Sequence, residues 1–231
     1  MRVALHKDIA AKLTGRIVSG EYPEKSLLPP ERNLCEMFGV SRTVVREAVK
    51  LLESRGLASI EQGRGTVVRR PGHEQVADSL RLILQRDNHP IRQLLEVRNI
   101  LETGMCALAA ERRTEEDLGA MQSCLAIMRA KPGEPEGYVD ADLEFHAAIA
   151  RAAKNPVFLA ILEPLAQLLR ESRLATFSGP RVVRLRTAQH ERIFERIREG
   201  DREGARAEMF AHLTDTRKDL ERRKARMAAG D

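Results

Sequence analysis

Residues 28–68 read LPPERNLCEMFGVSRTVVREAVKLLESRGLASIEQGRGTVV, and their punctuation predicts helix, tight turn, helix and hairpin. Glu31 to Phe38 spaces Leu34 and Phe38 one helical turn apart, and Gly39 follows where a helix needs a left-handed stop. Gly39-Val40 is the turn. Ser41 then stands where an N-cap hydroxyl accepts from the free amides of the next helix. From Arg42 onward Val44, Val45, Ala48, Leu51 and Leu52 recur at helical spacing. Gly56 breaks that pattern. Leu57–Glu61 and Thr66–Arg69 are short, rich in Ile, Val and Thr, and joined by Gln62-Gly63-Arg64-Gly65, whose glycines permit a tight turn.

The first turns of the second helix expose Arg42, Thr43 and Arg46, while Val45, Ala48 and Leu52 face the preceding helix. That is the geometry of a recognition helix. Its N-terminal residues meet base edges in the major groove, and arginine suits a bidentate contact with guanine. The basic-tipped hairpin reads as a wing.

The run from Leu28 to Leu57, followed by EQGRGTVV, resembles the DNA-binding domain of the GntR family of bacterial transcription regulators. The likeness spans residues 1–70, with helix, turn, Ser-Arg-Thr cap, Arg-Glu-Ala and wing glycines all in order. It implies that Arg32, Arg42, Thr43 and Arg46 contact DNA in and beside the major groove, with Gln62 and Gly63 at the wing tip in the minor groove. Ser41 and Arg64 complete the expected contact set. The chain departs from the family at two places: Pro30 stands where serine is usual, and Glu24-Lys25 where a glycine is usual.

At 231 residues the chain has room for two domains. Aromatic residues make up only 3% and Trp is absent, while Ala, Leu, Arg and Glu, all good helix formers, dominate. Residues 1–70 hold 13 Lys and Arg against 8 Asp and Glu, and residues 71–231 hold 26 of each. The whole formal excess of +5 therefore lies on the side expected to meet phosphates. Cys35, Cys106 and Cys124 are widely spaced among apolar residues and read as reduced packing residues, with no CxxC pair. The opening MRVALHKDIAAKL lacks the apolar core of a signal peptide, and no apolar run reaches the roughly 18 residues of a membrane span. A soluble, cytoplasmic protein is expected.

Leu5–Ser19, with Leu5, Ile9, Leu13 and Ile17 on one face, predicts a helix that covers the two described above. The expected domains are 1–70 for DNA binding, a linker at 71–74, and 75–231, all helical. In the last, helices are expected over Glu74–Gln85, Pro90–Arg112, from a Thr114 cap through Met128, Val139–Ala153, Asn155–Ala175, Val182–Glu199 and Asp201–Met227. Lys131–Gly137 is expected to be a loop. The fold class is thus mainly α: a winged helix-turn-helix with a small β-hairpin, then an all-α bundle of about seven helices.

Asp142 and His146 are four apart on one helical face that Ile149 and Ala153 continue, so the pair points inward. His190 lies among Val183, Ile193, Phe194 and Ile197, and His212 among Met209, Leu213 and Leu220. Left unpaired in a core, each such group costs about 1–3 kcal/mol. Either each has its own local hydrogen bond, or one carboxylate and three imidazoles share a divalent transition metal, zinc first, with nickel or manganese as alternatives. Arg98 also sits on an apolar face. It either pairs with Glu102 within the helix or binds a carboxylate from the cavity. Arg170 and Arg173 are equally compatible with a solvated face.

DLEFHAAIARAAKNP, AQHERIFERIREGDREGA and MFAHL resemble the FCD ligand-binding domain of the FadR branch of GntR regulators. That resemblance implies metal binding by Asp142, His146, His190 and His212, and an effector role for Arg98. The expected function is a ligand-responsive regulator, most simply a repressor. It would act as a homodimer on a pseudo-palindromic double-stranded DNA operator, governed by a small organic acid held beside a metal. An enzyme, either a metal-dependent hydrolase or a di-metal bundle, is the competing class. The paired Glu-x-x-His motifs of such a bundle are absent, and no spare general base is in view.

Overall fold

A computed structural model describes residues 2–69, 73–84, 90–130, 132–175, 177 and 179–229. Among them are ten helices and one two-stranded antiparallel hairpin, so the fold is mainly α as expected. The chain divides into two compact units, residues 1–76 and 77–231.

In the first unit α1 (Arg2–Val18) turns Ile9, Ala10 and Leu13 inward and packs on α3 (Arg42–Ser54). Between them α2 (Glu31–Phe38) buries Leu34 and stops at Gly39, whose φ of 63° is the left-handed turn read from the sequence. Ser41 does stand at the N-cap of α3, but its hydroxyl makes no capping bond, contrary to expectation. Its carbonyl instead accepts from the amides of Val44 and Val45 at 3.0 and 3.2 Å. The exposed first turn leaves the remaining amides within reach of solvent, so no side-chain cap is required.

The hairpin is shifted by one residue from expectation. Strand β1 is Ala58–Glu61 and β2 is Gly65–Val68, with Ala58 opposite Val68 and Glu61 opposite Gly65. Gly65 belongs to the strand rather than the turn, because it pairs with Glu61 across the ladder. Leu57 and Arg69 lie just outside it and are joined by an Arg69 N–H to Leu57 carbonyl bond of 2.9 Å. The segment before α2, read as plain loop, runs along β2: the Leu28 amide donates to Thr66 and the Val68 amide to Ser26, both at 2.8 Å. Lys25 has φ 67°, taking without glycine the left-handed conformation that the family's glycine would supply.

The second unit is built from α4 (His73–Leu84), α5 (Pro90–Arg112), α6 (Glu115–Ala130), α7 (Pro135–Ala152), α8 (Pro156–Ala175), α9 (Pro180–Glu199) and α10 (Arg202–Ala229). Residues 71 and 72 of the expected linker, and Gln85, lie outside the described residues, and helix already begins at His73. Helix α7 is central, touching α5, α6 and α8. It is buried almost all round, and its alanines at 141, 147, 148, 150 and 152 let neighbours approach closely. Thr114 and Asp117 cap α6 reciprocally: the Thr114 amide donates to Asp117 Oδ2 at 2.8 Å and the Asp117 amide to Thr114 Oγ1 at 3.3 Å.

The loop expected through Gly137 is shorter. Pro135 takes the first helical position of α7, and Pro180 that of α9, where a fixed φ and a missing amide fit the helix start. Pro164 is the reverse case, since it sits inside α8. No helix among the described residues is long and apolar enough to cross a membrane.

Candidate functional site

The residues expected to meet DNA lie on the surface of the first unit. Arg32, Ser41, Arg42, Thr43, Arg46, Gln62, Gly63 and Arg64 are all exposed. Helix α3 buries Val45, Ala48, Val49 and Leu52 and so turns Arg42, Thr43 and Arg46 outward. Ser41 and Thr43 line one cleft with His6, Val44 and Glu47. Gly63, at φ 76°, makes the tight tip of the hairpin.

Three of the arginines carry surface partners: Arg46 Nε with Glu31 at 3.0 Å, Arg32 with Glu36 at 3.1 Å and Arg64 with Glu61 at 2.9 Å. Exposed pairs of this kind are worth about 0–1 kcal/mol, so they are easily exchanged for phosphates. Arg42 has no partner among the described residues.

The second unit gathers its four expected ligands at one buried point. Asp142 and His146 come from α7, His190 from α9 and His212 from α10, and one ligand atom of each lies within 4.8 Å of all the others. His190 is fully buried and His146 and His212 are 2% exposed. His190 Nε2 stands 3.4 Å from His146 Nε2 and 3.2 Å from Asp142 Oδ1. Donor atoms around a tetrahedral zinc, with bonds of 2.0–2.1 Å, are separated by about 3.3 Å.

The outer edges of two rings are held. His146 Nδ1 lies 2.5 Å from Glu102 Oε2, and His212 Nδ1 lies 3.1 Å from Gln189 Oε1. With Nδ1–H donating to Gln189, His212 turns an Nε2 lone pair inward; at His146 the close approach of the Glu102 carboxylate favours the proton on Nδ1 and leaves the lone pair on Nε2. His212 Nε2 is buried with no hydrogen-bond partner. Burial lowers the pKa of all three imidazoles. Glu102 partly opposes this at His146, whereas neighbouring rings and arginines reinforce it at His190 and His212. Neutral imidazoles with converging lone pairs and a carboxylate are a donor set that fits a divalent transition metal.

Arg98 is fully buried and makes the intrahelical pair with Glu102. Its Nε donates to Glu102 Oε1, while Nη1 and Nη2 have no partner. A buried guanidinium with two free donors has hydrogen-bonding capacity to spare. Burial by itself would raise the Glu102 pKa, but Arg98 and His146 outweigh it and hold the carboxyl well below its ordinary range.

Three contributors escape the sequence reading. Glu102 enters it only as a partner for Arg98. Arg173 lies against Asp142, and the clue was its place one turn beyond Leu169 and two beyond Leu165, both buried. Gln189, next to His190, gave no comparable signal. Arg170 pairs with Asp140 at the surface.

Residues 5–68 match the gntR family of bacterial regulatory proteins, and residues 93–215 match the FCD domain. The HTH-type transcriptional regulator LutR of Bacillus subtilis is 36% identical over 86% of this chain and 93% of its own length. The galactonate operon transcriptional repressor of Escherichia coli is 33% identical over 85% and 88%. A solved GntR structure from Streptococcus agalactiae superposes with a TM-score of 0.72 at 25% identity, covering 93% of this chain and all of that one. These are transcription regulators and not enzymes. A helix-turn-helix with a hairpin, a helical unit with a buried cluster of one aspartate and three histidines, and two family matches in the same order place this chain in the GntR family of bacterial transcription regulators, in the FadR-type branch that carries an FCD domain.

Proposed function

We propose that this chain is a repressor whose second unit senses a small organic acid at a metal. The carrying observation is a pair of complementary unsatisfied groups in one core: converging imidazole lone pairs at Asp142, His146, His190 and His212, and the unpartnered Nη atoms of Arg98 one carboxylate away. These four residues hold the metal, zinc first and nickel or manganese otherwise. When bound it would supply Lewis-acid attraction for a carboxylate oxygen, taken as an added ligand beyond the four protein donors. Arg98 receives the same acid through its two free donors. The galactonate repressor is named for the operon of a sugar acid, which accords with a carboxylate effector.

In the first unit Arg42, Thr43 and Arg46 read the major groove, with Ser41 and Arg32 on the flanking backbone and Gln62, Gly63 and Arg64 in the minor groove. One winged domain covers too few base pairs for useful affinity, so the active form is a homodimer on a two-fold related operator. Residues 1–70 are assigned to DNA binding, 71–74 to the connection and 75–231 to effector binding and dimerisation. Occupancy of the acid site shifts operator affinity by the 5- to 150-fold, about 1–3 kcal/mol, typical of allosteric coupling.

The test takes metal-stripped protein, adds zinc, and screens small carboxylic acids for thermal stabilisation, followed by mobility-shift titration on operators selected from random duplex DNA. Stabilisation that needs both zinc and one acid, with altered operator affinity, is expected. Stabilisation by neither, with no DNA sequence selected, would overturn the reading.

A further inference from the structure

Glu102 stands one turn after Arg98 on α5 and is 1% exposed. Its two oxygens serve different partners. Oε1 accepts from Arg98 Nε, and Oε2 lies 2.5 Å from His146 Nδ1. Each partner has its working atoms at the far end: His146 turns Nε2 to within 3.4 Å of His190 Nε2, and Arg98 leaves Nη1 and Nη2 unsatisfied. One buried carboxylate therefore orients both a metal-ligating ring and an acid-binding guanidinium.

We propose that Glu102 is a positioning residue that joins the metal site to the acid site, so that filling either one tightens the other. This rests on the proposed metal-and-acid reading of the same core. When His146 Nε2 is engaged, its Nδ1–H becomes a stronger donor and holds Glu102 more firmly. Glu102 then holds Arg98 by its Nε, and the fork of Nη donors is already aimed when an acid arrives. Run backwards, an acid that fixes Arg98 steadies Glu102 and with it the His146 ring, as reciprocal linkage requires. A carboxamide cannot replace this, because glutamine has one acceptor oxygen and would turn its NH2 towards whichever donor is left.

The experiment uses the full-length chain, stripped of metal, with zinc affinity read by competition with a chromophoric chelator in the presence and absence of acetate. The wild type is expected to bind one zinc per chain, more tightly when acetate is present. In Glu102→Gln zinc affinity should fall about 10- to 100-fold, the usual effect of losing an outer hydrogen-bond partner, and acetate should no longer change it. Removing the carboxylate that pairs with the buried Arg98 guanidinium should itself lower the metal-free thermal midpoint, so the deciding readout is the acetate dependence of zinc affinity, which a merely structural role would not move.

Glu102→Gln that binds zinc like the wild type, with the acetate effect intact, overturns the proposal. Wild-type protein that binds no zinc overturns the underlying reading instead. If Glu102→Gln does not fold, Glu102→Asp decides. It keeps the charge but is too short to reach both partners, so loss of the acetate effect supports the linkage and its retention refutes it.

Discussion

His212 faces Gln189 through Nδ1 at 3.1 Å, and Gln189 passes the contact on by donating from Nε2 to Asp215 Oδ2 at 2.9 Å. The chain of bonds begins and ends on α10 and crosses α9 in between. It fixes which nitrogen of His212 is free. Replacing Gln189 with Leu removes the acceptor while keeping the bulk, and zinc affinity should fall about 10- to 100-fold. Chelator competition measures this, and unchanged affinity would show that packing alone orients the ring.

Arg42 and Arg46 differ in their present company, since only Arg46 is paired, with Glu31 at 3.0 Å. Arg42→Ala and Arg46→Ala should each weaken operator binding by about 1–3 kcal/mol in a mobility-shift titration. Glu31→Gln frees Arg46 and should tighten binding by no more than about 1 kcal/mol, the worth of an exposed pair. Loss of binding in Glu31→Gln would mean that the pair presents Arg46 rather than restrains it.

Asp117 is held from two sides, by the Thr114 amide at 2.8 Å and by Lys154 Nζ at 2.6 Å. Burial alone would raise its pKa, but these partners outweigh burial and set it below the ordinary value. A depressed folded pKa adds stability above the unfolded value of about 3.9, and that stability is lost as pH falls through the folded value. Asp117→Asn should therefore cost about 1–2 kcal/mol in urea denaturation at pH 7, and the difference should shrink below about pH 4 and vanish as pH falls through the depressed folded value. A difference that persists in acid would assign the effect to shape rather than charge.

Removal of metal gives a direct readout of the second unit. A chelator should lower the thermal midpoint, and added zinc should restore it, because a ligand that binds only the folded state stabilises by mass action. His212→Ala should lose most of that response while its operator affinity without effector stays within about threefold of wild type, a difference under 1 kcal/mol. A chelator response as large as the wild type's in His212→Ala would remove His212 from the ligand set.

The fold was legible wherever a residue type dictates backbone, as at Gly39, Gly63 and Thr114. It was less legible where proline has two meanings. Pro135 and Pro180 start helices that were expected to begin later, and Pro164 lies within α8. Local spacing cannot distinguish a proline that opens a turn from one that opens a helix. Likewise the inward faces of α7, α9 and α10 follow from periodicity, which brings His146, His190 and His212 to one core. Their outer partners do not follow, because Glu102 and Gln189 meet these rings only through the packing of one helix on another, 44 residues apart in one case and 23 in the other.

Because α7, α9 and α10 each contribute at least one donor and α5 braces one of them through Glu102, the site is a rivet through the bundle. Anything that occupies it stiffens four helices at once, including the longest. In the proposed sensor, information about the acid would leave as a change in how freely those helices slide past one another, read out wherever they end.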